Sequence, residues 1–131
     1  MESSAFQFSN PALVGLEFNL NEDYRNEESE EINININLAV SVERFEHENT
    51  ARVTLKLQLG ENSKNVPFYI RASEAAYFRW EESLEEKRIE KLLNQNAPSL
   101  LLSYIRPVIT QITAASPFEA YNIPFINFTN Q

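Results

Sequence analysis

Between Ile32 and Val42, six aliphatic side chains (Ile32, Ile34, Ile36, Leu38, Val40 and Val42) alternate with Asn33, Asn35, Asn37, Ala39 and Ser41. A period of two is the repeat of a β-strand, and a one-residue slip would turn the whole aliphatic set toward water. The chain is therefore committed to a sheet with one buried face and a firmly specified register. Two other stretches follow the same rule. Val14, Leu16, Phe18 and Leu20 alternate with Gly15, Glu17 and Asn19, and Val53, Leu55, Leu57 and Leu59 with Arg52, Thr54, Lys56 and Gln58. Phe68, Ile70 and Ala72 open a fourth strand, whose alternation weakens around Ser73 to Ala76, where a bulge is one reading. Strands are predicted near 10–20, 32–46, 50–60 and 66–80.

The period then changes to that of a helix. Ser83-Leu84-Glu85-Glu86 reads as a capping box opening a short helix over 83–93, with Lys87, Arg88 and Lys91 toward its carboxyl end. Asn96-Ala97-Pro98 reads as a break and a fresh start, because a first-turn proline gives up no helical hydrogen bond. Leu101, Ile105, Val108 and Ile112 recur at helical spacing, widened by Leu102 and Ile109, which predicts a main helix from about 98 to 115. Pro107 lies inside it and implies either a kink or two helical pieces. A stripe that wide implies burial on two sides, one against the chain's own sheet and one against another surface. At 131 residues the chain is read as one α+β domain, residues 1–131, with a four-stranded antiparallel meander or Greek key and both helices on one face.

Charge and chemistry narrow the function. A net charge of -8 argues against nucleic acid and anionic membranes as partners. With no cysteine there is no disulfide or thiolate chemistry, and MESSAFQFSN lacks the basic and apolar runs of a signal peptide, so a cytoplasmic home without membrane insertion is expected. His47, the sole histidine, stands between Glu46 and Glu48 without further ligands in view, and the two glycines cannot build a phosphate-cradling loop. No metal, no cofactor and no catalytic residue are expected. The alternative in another class is a small-ligand-binding module or hydrolase, which would need a closed pocket with convergent ionisable groups. Residues 21–31 hold six carboxylates and one aromatic, Tyr24, and read as a solvated loop or as a mobile acidic flap beside a binding surface.

Ser103-Tyr104-Ile105-Arg106 followed by Ile123-Pro124-Phe125-Ile126-Asn127-Phe128 resembles the recurring helix and extended segment of the SecB-like chaperones. The resemblance spans roughly residues 10 to 128, most specifically Leu101 to Phe128. It implies a four-stranded antiparallel sheet and a long helix, assembled as a homotetramer (a dimer of dimers) in which Leu101, Ile105, Val108 and Ile112 meet another subunit. It also implies ATP-independent holding of unfolded or partly folded polypeptides in an apolar groove. The expected lining is Ile34, Trp80, Tyr104, Tyr121 and Phe125, with Tyr24 on the acidic loop over one end. Export members of the family dock a basic tail of the SecA motor through acidic residues on the outer sheet face. Arg71 stands at one of those positions, and Gly15 and Asn19 lie near the others, so SecA stays open as a partner that the resemblance implies, with its acidic docking positions unmatched in this chain. The family's C-terminal helix has no counterpart before Gln131. Other relatives are dedicated to one antitoxin of a toxin–antitoxin pair, and the sequence fits either role.

Overall fold

The structure is a computed structural model that describes residues 5–24, 34–45, 47–61 and 65–130. Five strands, β1 (Phe6–Phe8), β2 (Ala12–Leu20), β3 (Ile36–Phe45), β4 (Thr50–Leu59) and β5 (Phe68–Trp80), form one antiparallel sheet. β3, β4 and β5 follow one another as hairpins. β1 and β2 lie end to end along the remaining edge of β5, β1 against Phe78–Trp80 and β2 against Phe68–Ala75. The order β2-β5-β4-β3 is a Greek key read backwards.

The fifth strand, β1, lies ahead of the expected first strand, which began near residue 10 and is β2. Pro11 cannot donate to a ladder, and Ser9 turns its hydroxyl to accept the Tyr77 N–H at 3.0 Å. β2 carries the sheet's register irregularity, between Leu13 and Gly15, whereas the β4–β5 register is continuous through Ser73–Ala76, where a bulge was one expectation. At the β4–β5 turn Gly60 has a φ of +75°, and a Cβ there would lie 2.8 Å from the Phe68 carbonyl oxygen, so no other residue fits without moving backbone.

One face of the sheet is the core. Val53, Leu55 and Leu57 on β4 stand opposite Ala76, Glu74 and Ala72 on β5, and opposite Val42, Val40 and Leu38 on β3. Over this face pass α1 (Glu86–Lys91), a π-turn over Leu92–Asn96, and α2 (Ala97–Ala114). Every junction residue between them stays in the right-handed helical region, so the expected two helices are one continuous helical run. The π-turn sits directly ahead of Pro98, which has no N–H to offer the preceding turn; widening the coil there keeps the helix going. α2 likewise continues through Pro107 as a single helix. The expected capping box does not form. The helix starts at Glu86 with no side-chain cap, and Glu86 instead takes the guanidinium of Arg44.

Leu101, Ile105 and Ile109 are completely buried against β4 and β5. Each contributes on the order of 1.5–3 kcal/mol of burial. After α2 the chain runs back antiparallel to it. Tyr121 N–H bonds Thr113 Oγ1 at 2.8 Å, Thr110 Oγ1 meets Asn122 Oδ1 at 3.0 Å, and Arg106 Nε donates to the Ile123 carbonyl at 3.0 Å. Ile123 and Phe128 are buried, which pins this tail at both ends.

Candidate functional site

The tail occupies only one flank of α2, the side of Arg106, Thr110 and Thr113. Leu100, Tyr104 and Val108, each four residues on from the last, form the other flank. Leu100 lines an apolar pocket of about 320 Å³ together with Phe6, Phe8, Phe78, Leu84 and Leu92, so this flank looks toward the β1/β2 edge of the sheet.

On that edge Leu16, Phe18 and Leu20 pair with Ala72, Ile70 and Phe68, which fixes them on the helix-bearing face. Yet the helix does not reach them: Leu16 is 44% exposed, and Leu13 and Leu20 are similarly open. Phe8 on β1 and Tyr104 on the helix are 48% and 43% exposed. These exposed side chains mark out a candidate apolar groove along the β1/β2 edge and the free flank of α2, with the Phe6–Phe8 pocket at one end. Such a surface suits an extended apolar segment in geometry, since a backbone can follow a strand edge while alternate side chains face the apolar row.

One polar group lies beneath it. Glu74 pairs with Leu13 on β2 and Leu55 on β4, inward, and is only 3% exposed. Its Oε1 has no hydrogen-bond partner, and burial pushes its pKa up from the ordinary carboxylate value.

The residues expected from the sequence to line one groove are dispersed. Tyr104 is on the groove wall. Tyr24 is buried with its ring edge-on to Phe118 at 5.6 Å, and Tyr121 is half-buried, edge-on to Phe68 at 6.4 Å, with its hydroxyl pKa raised by burial; both stand where β2 ends. Residues 25–31 of the acidic loop, with Ile32 and Asn33 after it, lie outside the described residues. Ile34 packs against the core on the opposite edge of the sheet, beyond β3. Trp80 is buried at the far end of β5, roughly 40 Å from Phe68 at ~3.3 Å per residue, with the Arg44 guanidinium 5.2 Å over its ring. Phe125 is 84% exposed but belongs to the tail, across α2 from the groove.

Of the expected subunit-contact residues, Leu101 and Ile105 are spent on the chain's own core, while Val108 and Ile112 keep free surface. Phe6, Phe8, Leu13, Leu16, Leu20 and Leu100 went unrecognised as groove residues. Phe6-Gln7-Phe8 is itself an alternating signal, too short to stand alone, and the β2 row reads in sequence as plain core. Among the described residues no three His, Cys, Asp or Glu side chains are grouped to hold a metal ion, and no helix is long and apolar enough to cross a membrane.

Comparison with known proteins agrees with this architecture. The family model described as preprotein translocase subunit SecB matches residues 14–130. Among solved structures, the SecB-like chaperone of Mycobacterium tuberculosis, in complex with a ChAD peptide from the HigA1 antitoxin, superposes with a TM-score of 0.75 at 11% identity, over 93% of this chain and 91% of that one. A protein of unknown function from Streptococcus agalactiae superposes with a TM-score of 0.44 at 13% identity, over 92% of this chain and 97% of that one. No curated protein matches the sequence.

Proposed function

The chain belongs to the SecB family, and on that premise we propose that it is an ATP-independent holdase chaperone of the cytoplasm, without enzymatic activity. It binds unfolded or partly folded polypeptides in the groove between α2 and the β1/β2 edge. The observation that carries the proposal is the uncovered row Leu13, Leu16 and Leu20 facing Tyr104 on the helix-bearing side, since a domain this size does not ordinarily leave its own core face open. A homotetramer is the proposed assembly, with the free surface of Val108 and Ile112 meeting another subunit. Docking to a basic SecA tail is left out of the proposal, because Arg71, Gly15 and Asn19 put no acid at the positions that would receive it.

The second reading is a chaperone dedicated to one antitoxin. It is favoured by the likeness to the mycobacterial SecB-like chaperone, which was captured with an antitoxin peptide. An aggregation assay with an unrelated unfolded protein, beside a pull-down from native cells, separates the two. Suppression of aggregation with many weak clients supports the general holdase. One stoichiometric small partner, with no effect on the unrelated protein, supports the dedicated chaperone. Failure of both removes the chaperone function.

A further inference from the structure

The face of the sheet turned away from the helices has a charge opposite to that of the chain. Its outward-facing side chains include four cations, Arg52 and Lys56 on β4 and Arg71 and Arg79 on β5, against two carboxylates, Glu17 and Glu43. The whole chain carries -8, so acidity is concentrated elsewhere and this face is a basic island. Its centre is a shallow depression of about 510 Å³ where two rows cross the sheet. In one row Gly15, Ser73, Lys56 and Ala39 lie side by side, and in the next Glu17, Arg71, Gln58 and Asn37. Small residues make the floor of the first row, and the two cations rise beside it. Glu17 engages Arg71 only loosely, at 3.9 Å with both side chains more than half exposed, so the guanidinium is available to a better partner.

We propose that this outer face docks an acidic, extended segment of a partner protein, independently of client binding on the helix side. Lys56 and Arg71 are diagonal neighbours on adjacent strands, about 7–8 Å apart. Carboxylates at alternate positions of an extended peptide are about 7 Å apart, which matches them. Four residues from Lys56 along β4 stands Arg52, and its partner on β5, Tyr77, is half-exposed with its ring stacked on Phe45 at 6.4 Å. That pair offers an apolar stop for an aromatic residue about four positions beyond the acidic pair. A long polyphosphate is disfavoured, since the rest of the chain repels it and two carboxylates interrupt the cations.

The test uses the whole protein and a fluorescently labelled extended peptide bearing two glutamates at alternate positions and a phenylalanine four residues on. Binding is expected by polarisation, at least tenfold weaker in a K56E/R71E double variant and weaker as salt is raised. A peptide with lysines in place of the glutamates is expected not to bind. The substituted side chains are exposed, and circular dichroism verifies the fold; K56Q/R71Q, with a smaller loss expected, replaces the double reversal if it misfolds. Equal binding by variant and parent, equal binding of the lysine peptide, or displacement by a short single-stranded oligonucleotide at lower concentration than by unlabelled peptide would overturn the proposal. Suppression of client aggregation by the double variant is expected to match the parent, which keeps this outcome separate from the chaperone function.

Discussion

Thr113 Oγ1 receives the backbone N–H of Tyr121 at 2.8 Å while its own proton is directed to the Ile109 carbonyl, also at 2.8 Å. The hydroxyl is completely buried, and it joins the last turn of α2 to the returning tail. Thr113→Val keeps the shape and removes both bonds, stranding the Tyr121 amide. A loss of about 1–3 kcal/mol is expected, with faster hydrogen exchange at Tyr121. Unchanged denaturant midpoints would mean that packing of Ile123 and Phe128 alone holds the tail.

Glu74 and Glu86 give stability opposite dependences on pH. Burial raises the Glu74 pKa, so the unfolded chain ionises first; stability is lost as pH climbs from the ordinary glutamate value through the raised one. Glu74→Gln should therefore melt higher than the parent at pH 8, with the advantage shrinking at pH 4. If the variant melted lower at both values, the carboxylate would have a partner supplied by another chain.

The Glu86 pKa is lowered, first by the hydrogen bond from Arg44, and its contribution is present above the ordinary carboxylate value and lost as pH falls through the lowered one. Glu86→Gln should flatten the acid limb of the stability curve. Arg44→Ala should in addition uncover Trp80, the sole tryptophan, and shift its emission to the red. An unshifted spectrum would show that the guanidinium does not shield the indole.

Groove residues can be changed at little cost to folding because they are already exposed. Leu16→Ser with Tyr104→Ser should alter stability by under about 1 kcal/mol. The same double variant should reduce capture of an unfolded client at least tenfold in an aggregation assay. Full retention of capture would place the binding surface elsewhere.

Val108→Asp puts a charge on the free flank of α2 without touching its buried one. Light scattering of the parent should give a multiple of the 15.1 kDa chain mass, and the variant a smaller species. A parent that ran as a single chain would exclude assembly through this helix.

Alternation located β2, β3, β4 and β5 and put Phe68, Ile70 and Ala72 on one face of the last, because the pleat dictates which face each residue joins. It could not say what lies over a face. Leu16 and Leu20 carry the same signal as Leu55 and Leu57, and only the lateral position of α2 distinguishes open groove from closed core. Trp80 and Phe125 lie away from the β2 row for a related reason: aromatic character marks contact area, while strand length and the path of the tail decide where that area ends up. The π-turn escaped notice because Asn94-Gln95-Asn96-Ala97-Pro98 has the composition of a break, and the continuous apolar packing of Leu93, Ala97 and Leu101 overrides it.

The strand order also sets a timetable. Among the described residues β2 pairs with β5 alone, so a chain emerging from the ribosome must extend past residue 75 before Ala12–Leu20 can pair along its length. The β3–β4–β5 hairpins form through local contacts, whereas docking β2 must close a loop of more than 45 residues first. The two strands that floor the groove are thus the last to join the sheet during synthesis, β1 after β2, because its partners Phe78–Trp80 emerge later still.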